Sequence, residues 1–265
     1  KREQIKQVVK DVKPDKTDIL LSKKQQEVFD GINELVNSDS AQVALLRGVT
    51  GSGKTLIYLK LIEEVIKSGK TAIMLIPEIS LTPQTLERFR KRFGSTVAIT
   101  HSGLSMGERV SEYKRIKNGD VKIVVGTRSA VFAPLDNIGI IIIDEEGEGT
   151  YKSESSPRYD AREVAKQRCI YNNATLVLAS ATPSIESYYK AESGKYHLFE
   201  IEERYANAIL PEVYMVDMRD ELSVGNNTQI SGALAEELKK NLENGEQSIL
   251  LLNRRGYHTY VSCLT

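Results

Sequence analysis

The amino-acid sequence predicts an α/β fold built on a mostly parallel sheet with helices on both faces. Short apolar runs alternate with stretches whose apolar residues recur every three or four positions, the periods of strand and helix. One run, residues 138–143, is apolar apart from a single glycine, which is typical of a strand buried on both faces. A glycine-rich loop at residues 48–55 joins another apolar run to a helical pattern, as in a strand–loop–helix unit.

The periodicity predicts the elements in order. A helix opens at residues 21–26, with Ser22 as its N-cap and Val28, Ile32, Leu35 and Val36 on its apolar face. Strands are predicted at 43–46, 71–76, 97–100, 121–125, 138–143 and 175–179, and further helices at 56–66, 81–93, 106–117, 162–171 and 185–192.

The pattern changes near residue 204. Strands predicted at 213–216 and 247–252, around a helix at 232–242, indicate the start of a second α/β unit. Residues 1–20 are rich in lysine and interrupted by Pro14, which predicts a linker or tail, or alternatively a short solvated helix. We therefore predict a linker at 1–20, an α/β domain at 21–203 and an incomplete second domain at 204–265.

Composition narrows the class of protein. The 265 residues carry no net charge, which neither requires nor excludes a nucleic-acid partner. Two cysteines, Cys169 and Cys263, cannot form a disulfide framework, so a reducing, cytoplasmic location fits best. We see no signal peptide and no apolar run near the roughly 20 residues of a membrane span. Because the chain lacks an initial Met and ends within a region predicted to be structured, we expect it to be part of a longer protein.

Residues 48–55 match G-x-x-x-x-G-K-S/T, the phosphate-binding loop of nucleoside triphosphatases. Glycines let backbone N–H groups converge on phosphate oxygens, and the following helix N-terminus adds a positive dipole. We expect Lys54 to reach the β- and γ-phosphates and Thr55 to ligate Mg²⁺. The alternative is a glycine-rich turn without a ligand. The expected ATP-binding residues are Gly48, Thr50, Gly51, Ser52, Gly53, Lys54 and Thr55.

A second motif follows the apolar run at 140–143 as Asp144-Glu145-Glu146. In a parallel sheet, ligands bind beyond the carboxyl ends of the strands. Asp144 is therefore predicted to hold Mg²⁺ and Glu145 to polarise the attacking water, with Lys54 as the third catalytic residue. A solvated turn is the alternative for an acidic run of this kind.

The third motif, residues 179–183, reads Ala-Ser-Ala-Thr-Pro and also ends a predicted strand. Together with the strand ending in Asp-Glu, it resembles superfamily 2 helicases, in which this motif couples the nucleotide site to the nucleic acid. Ser180 and Thr182 are the residues that this resemblance assigns to coupling.

Longer matches make the resemblance specific. Residues 77–84, 101–104, 126–134 and 253–257 resemble the PriA family of bacterial replication-restart DNA helicases (primosomal protein N′), and the likeness covers nearly the whole chain from Leu21. It implies a RecA-like P-loop NTPase lobe and a 3′→5′ ATP-driven helicase that assembles the primosome at stalled forks. The implied partners are single-stranded and forked DNA, other primosome proteins and single-stranded DNA-binding protein.

The resemblance also assigns individual residues. Gln25 would contact adenine, although a surface Gln is an alternative because Gln26 adjoins it. The loops at 77–84 and 126–129 would touch the DNA backbone, whereas we expect Arg88, Arg90, Lys91 and Arg92 to form a solvated helix face. An aromatic-rich loop at 151–159 would sense single-stranded DNA by stacking, with a mobile surface loop as the alternative. The implied DNA contacts are Thr82, Thr127, Arg128, Tyr151, Lys152, Arg158 and Tyr159.

The chain departs from the family at several places. The family usually carries His at the positions of Gly147 and Asp160. In the family such a His links the γ-phosphate side of the site to the DNA side, so its absence affects the expected coupling more than the expected nucleotide binding. In the family, the second lobe supplies a Cys-rich zinc module and an arginine finger. Cys263 matches the first zinc-ligand position, but one thiolate cannot complete a tetrahedral site, so we expect zinc only in the full-length protein.

Three functions therefore remain to be compared. The first is an ATP-dependent DNA helicase motor, of which this chain alone would hydrolyse ATP poorly. The second is a nucleotide-gated DNA-binding module without appreciable hydrolysis in this fragment. The third is a different P-loop motor, such as a branch-migration or restriction translocase, against which the stretches 77–84 and 126–134 argue.

Overall fold

The computed structural model describes residues 14–15, 17–203 and 211–251. The chain divides into two compact units, Lys1–Ala208 and Ile209–Thr265. Most of the sequence motifs fall in the first unit. The predicted match at residues 253–257 and Cys263 lie outside the described residues.

The first unit contains one seven-stranded sheet in the order β3-β4-β2-β5-β6-β1-β7. All of its strand pairs are parallel. The strands are β1 (Gln42–Gly48), β2 (Thr71–Leu75), β3 (Val97–Thr100), β4 (Ile123–Gly126), β5 (Ile138–Asp144), β6 (Thr175–Ser180) and β7 (His197–Ile201). The predicted α/β class with a parallel sheet is confirmed, and β7 is a strand that the sequence analysis missed.

Helices cover both faces of this sheet. On one face, α1 (Lys23–Val36), α2 (Lys54–Lys67) and α3 (Pro83–Phe93) bury residues such as Ile32, Ile62 and Phe89. On the other face, α4 (Met106–Lys117), α5 (Ala161–Asn172) and α6 (Ile185–Glu192) contribute Ile116, Ala165 and Ala191 to a second core. Alternate strand residues point into the two cores, because successive side chains of a strand face opposite sides of the sheet.

The second unit differs from its prediction. Its described part contains α7 (Met218–Ser223) and α8 (Gly232–Glu243), and α8 confirms the helix predicted at 232–242. The strands predicted at 213–216 and 247–252 are wrong over the described residues, because 213–216 and 247–251 have no strand structure. Their apolar side chains, including Met215 and Ile249, are exposed. An apolar run pairs as a strand only where a partner strand is present, and the described residues of this unit offer none.

Gly126, the last residue of β4, lies where the chain has no room for a side chain. A Cβ atom at this position would lie 2.1 Å from the carbonyl oxygen of Thr100 and 2.8 Å from the Cβ of Ala130. We therefore expect Gly126→Ala to destabilise the first unit by about 2 kcal/mol, lowering Tm by about 5 °C in thermal unfolding. Gly107→Ala, in α4 and facing open space, is the control and should leave Tm unchanged or slightly raised. Equal Tm values for the two variants would contradict the packing argument.

Among residues 14–15, 17–203 and 211–251, none of the helices combines the length and apolar character of a membrane span.

Candidate functional site

The carboxyl ends of β1, β5 and β6 meet at one edge of the sheet. Asp144 pairs with Ala179, and Arg47, just before Gly48, pairs with Ser180. This register brings the ends of the three sequence motifs together, as expected for neighbouring parallel strands.

The loop after β1 forms a compact cradle. Gly51 and Gly53 have φ angles of 80° and 81°, a left-handed conformation that glycine adopts without strain. The Lys54 Nζ donates to the carbonyl oxygen of Gly48 at 2.7 Å. The Oγ of Ser52 is buried without a hydrogen-bond partner among the described residues. Buried polar groups are normally hydrogen-bonded, so an unpartnered hydroxyl in this loop fits a site that binds a polar ligand.

A cleft of about 800 Å³ opens over this loop. That volume lies within the usual range for small-molecule sites, which is about 300–1,000 Å³. Besides the loop, the cleft is lined by Asp144 and Glu145 from the end of β5, by residues 17–20 and by Arg88, Lys91 and Arg92 of α3. Of the predicted nucleotide residues it gathers Thr50, Gly51, Ser52, Gly53, Lys54, Thr55 and Asp144. Cationic, hydroxyl and carboxylate groups in one cleft fit a magnesium-bound nucleoside triphosphate.

The Asp144 carboxylate is oriented by a tyrosine that the sequence analysis missed. The buried Tyr58 of α2 donates its hydroxyl to Asp144 Oδ1 at 2.9 Å. Burial raises the pKa of Asp144, whereas the hydrogen bond from Tyr58 acts to lower it. Tyr58 lies four residues after Lys54, on the same side of α2, and that spacing was the available signal.

We expect Tyr58→Phe to weaken binding of magnesium-bound ATP by about tenfold, because it removes a hydrogen bond to a charged group while keeping the ring that fills the core. Isothermal titration with magnesium and ATP measures the effect. Tyr171→Phe is the control, since Tyr171 is exposed at the end of α5. Unchanged affinity in Tyr58→Phe would contradict the orienting role.

Glu145 is joined to the third motif. Ser180 Oγ donates to Glu145 Oε2 at 2.8 Å, and the Thr182 backbone N donates to Ser180 Oγ at 3.1 Å. Glu145 has a φ of 46°, an uncommon value for a residue with a side chain, which the surrounding contacts must hold in place. The contact between Glu145 and Ser180 is the kind of link that the predicted coupling role requires.

The Gln25 side chain, whose amide was predicted to contact adenine, is buried and hydrogen-bonded within the protein. It is only 2% exposed, its Oε1 accepts from the Ser22 backbone N at 2.9 Å, and its Nε2 donates to the Ser52 carbonyl oxygen at 2.8 Å. Gln25 thus completes the capping box of α1 and fixes the phosphate loop. The alternative of a surface Gln is wrong, and the adenine contact stays a prediction.

Tyr151 requires a correction. Its side chain is 1% exposed, and its hydroxyl donates to the carbonyl oxygen of Asp144 at 2.6 Å. The prediction that this ring stacks on DNA bases is wrong for this arrangement, because its faces are covered by the core. The residue instead connects the aromatic-rich loop to the end of β5.

Arg128 is occupied by the same loop. Its Nη1 donates to the carbonyl oxygens of Thr150 and Lys152 at 3.1 and 2.6 Å, and its guanidinium lies 5.7 Å from the centre of the Tyr159 ring. These contacts leave the predicted phosphate role to its remaining N–H groups. An antiparallel bridge joins Lys152 and Asp160 at the two ends of the loop, residues 154–158 between them are exposed, and the alternative of a mobile surface loop stays open.

The other predicted DNA contacts are mixed in exposure. Thr82 caps α3 by accepting from the Thr85 backbone N at 3.2 Å, and Thr127 is buried. Thr127 is 8% exposed, and its contact with a DNA phosphate stays a prediction. Lys152 and Arg158 are exposed and accessible to a polyanion.

The predicted solvated face of α3 is wrong for Arg92. Its side chain is 11% exposed and pairs with Glu63 of α2. It also donates to the backbone carbonyls of Asp15 and Thr17, which holds that segment against α3. Arg88 and Lys91 line the nucleotide cleft.

The two positions where the resemblance expected His have other roles. Asp160 caps α5 and accepts from Arg162 at 2.7 Å. Burial acts to raise the Asp160 pKa, but the hydrogen bonds from Arg162 outweigh it and hold that pKa below its usual value. A Cβ atom at Gly147 would lie 3.1 Å from the Thr182 carbonyl oxygen, so this position adjoins the third motif.

Comparison with known proteins agrees with this arrangement. The chain is 51% identical to Replication restart protein PriA of Bacillus subtilis (strain 168) over 92% of its length, and 42% identical to the protein of that name from Chlamydia muridarum over 92%. It spans 30% and 32% of those relatives, about a third of their length. The predicted resemblance to the PriA family is confirmed.

Among solved structures, RecG bound to a three-way DNA junction superposes with a TM-score of 0.61 at 20% identity, over 86% of this chain and 29% of that one. At this identity the likeness concerns the fold, and the RecA-like class is confirmed. Residues 22–191, which contain all three motifs, match the DEAD/DEAH box helicase family. The chain therefore belongs to the DEAD/DEAH box helicase family.

Proposed function

We propose that this chain is the ATP-binding part of a DNA helicase motor that acts in replication restart. The observation that carries the proposal is the meeting of three motifs at one sheet edge, where Lys54, Asp144 and Glu145 line one cleft and Ser180 contacts Glu145. We assign residues 21–203 to the first helicase lobe and 204–265 to the beginning of a second.

The residues divide the chemistry among them. Backbone N–H groups of the loop and the Lys54 ammonium bind the phosphates and offset negative charge as the γ-phosphoryl group transfers. Thr55 and Asp144 would hold Mg²⁺, which supplies further charge compensation when bound. The Glu145 carboxylate accepts a hydrogen bond from the attacking water and orients it. Ser180 fixes the position of that carboxylate through their hydrogen bond.

The finer parts of the proposal rest on the relatives. The name Replication restart protein PriA, which those relatives carry, supports a role in replication restart. We further propose, as the resemblance of the sequence implies, 3′→5′ movement on single-stranded and forked DNA, contact with primosome proteins and single-stranded DNA-binding protein, and a cytoplasmic location. We extend zinc binding by Cys263 only to the full-length protein. Two exposed cations of the aromatic-rich loop, Lys152 and Arg158, provide phosphate-binding groups for DNA.

Strand displacement by the full-length protein tests the proposal. Forked substrates with either a 3′ or a 5′ single-stranded tail are compared in the presence of ATP and magnesium. We expect unwinding that requires hydrolysable ATP and favours the 3′ tail. Preference for the 5′ tail would overturn the polarity, and displacement independent of ATP would overturn the motor itself.

The 265-residue chain alone should bind ATP or ADP weakly and hydrolyse ATP slowly. Motors of this kind complete their site with an arginine from the second lobe, and an arginine finger is worth about 10³–10⁵ in rate in GTPases. Steady-state ATP hydrolysis by this chain, with and without single-stranded DNA, is compared with that of a polypeptide extended through the second lobe. Similar DNA-stimulated rates would show that the first lobe is self-sufficient. A lack of stimulation in both would favour the nucleotide-gated binding module.

A further inference from the structure

Glu146 is a buried carboxylate to which the chemistry above gives no role. It follows directly on Asp144 and Glu145, and its side chain is 0% exposed. Its Oε1 accepts from the Ser184 backbone N at 2.6 Å, and its Oε2 accepts from Ser187 Oγ at 2.9 Å and Ser184 Oγ at 3.2 Å. The carboxylate is therefore bound at the start of α6.

Burying a carboxylate is unfavourable unless donors replace the lost water. Here the donors come from α6, at whose N-terminus a negative charge is also favoured by the helix dipole. Arg162 of α5 adds a second anchor, because its Nη1 donates to the Glu146 carbonyl oxygen at 2.7 Å and lies 4.0 Å from Oε2. The residue is thus fixed through both its side chain and its backbone.

The same segment of chain also holds Glu145. Ser180 donates to Glu145, and Ser184, four residues later, donates to Glu146. The Glu146 backbone N also donates to the carbonyl oxygen of Ala179, so the backbones of the second and third motifs are joined directly. A displacement of residues 180–187 therefore acts on two successive carboxylates, one of which faces the nucleotide cleft.

We propose that Glu146 is a positioning residue that transmits displacement of the segment 180–187 to Glu145, and so makes ATP hydrolysis respond to DNA. This inference rests on the proposed function. Glu146 acts through the backbone of Glu145, whose left-handed conformation must be held from outside. Gly147 and Ser184 line a neighbouring cavity of about 310 Å³ with Lys152 of the aromatic-rich loop, so that loop borders the connection.

The test compares Glu146→Gln with wild type in the full-length protein. The amide keeps the shape but places an NH₂ group against donors, so one of the contacts with α6 is lost. We expect DNA-stimulated kcat to fall by about tenfold, the scale of one lost hydrogen bond to a charged group. The DNA-free rate and the KM for ATP should stay within about twofold of wild type. Glu146→Asp, which keeps the charge, should recover part of the stimulation.

Two further variants separate coupling from folding. Ser187→Ala removes one donor from the α6 side, and its effect should be smaller and non-additive with Glu146→Gln. Glu192→Gln, at the exposed end of α6, is the control and should behave as wild type. Thermal unfolding establishes that each variant is folded, and Ser187→Ala carries the test if Glu146→Gln is not.

The outcomes are distinct. A wild-type protein without DNA stimulation would refute the proposed function. If DNA stimulates ATP hydrolysis by the wild type, and stimulates Glu146→Gln and Ser187→Ala to the same extent, the inference about Glu146 is overturned and the proposed function stands. Equal losses of the DNA-free and DNA-stimulated rates would also overturn it, because they would show a purely structural role.

Discussion

Lys54→Ala is expected to abolish ATP hydrolysis, with a loss of at least about 10³ in rate, because it removes the cation that offsets charge on the transferring phosphoryl group. The ammonium also donates to the Gly48 carbonyl oxygen at 2.7 Å, so its removal loosens the loop that it organises. Steady-state phosphate release by the full-length protein, at saturating single-stranded DNA, measures the effect.

The control for this variant is Lys67→Ala, at the other end of the same helix. Lys67 is exposed and pairs only with Glu63 and Glu64 on the helix surface in the described contacts, an arrangement of little energetic weight. The Lys67→Ala variant should hydrolyse ATP at the wild-type rate. Turnover by Lys54→Ala at the wild-type rate would refute the assignment of residues 48–55 as a nucleotide site.

Replacing each of the two cleft carboxylates, Asp144 and Glu145, by its amide should separate nucleotide binding from hydrolysis. Glu145→Gln is expected to keep affinity for magnesium-bound ATP but lose about 10²–10⁴ in turnover, the usual contribution of a general base. Asp144→Asn should weaken magnesium-dependent binding itself, because it removes the negative charge that Tyr58 orients. Titrations with ATP in the presence and absence of magnesium, beside turnover measurements, distinguish the two effects.

Glu148→Gln provides the matched control, since Glu148 lies three residues after Glu145 and is partly exposed. It should affect neither binding nor turnover. An equal loss of magnesium-dependent affinity in Glu145→Gln and Asp144→Asn would contradict the division of roles between the carboxylates.

Much of the fold could be predicted because it depends on local patterns. The strand, loop and helix around residues 42–67 follow from an apolar run, a glycine-rich motif and helical periodicity. The position of Asp144 and Ser180 follows from the rule that strand ends share one edge of a parallel sheet. β7 was missed because its residues are only partly buried and its pattern is weak.

The contacts that hold the site could not be predicted from local patterns. Tyr58, Tyr151 and Arg92 contact residues distant in sequence, namely Asp144, Leu75 and Glu63, so their patterns match those of ordinary core or surface residues. An aromatic residue in a loop suggested stacking on DNA, but burial of Tyr151 depends on packing that periodicity does not encode. Gln25 was assigned to adenine by the family resemblance, whereas its side chain bonds the backbone of Ser22 in its own capping box and that of Ser52, 27 residues away.

The central claim is that the cleft beside Lys54, Asp144 and Glu145 hydrolyses ATP in response to DNA. The most direct test is steady-state ATP hydrolysis by the full-length protein, titrated with single-stranded DNA. We predict a rate that rises with DNA to a plateau, and no rise in Lys54→Ala. A protein that binds ATP with wild-type Lys54 but whose rate stays flat across the titration would contradict the claim.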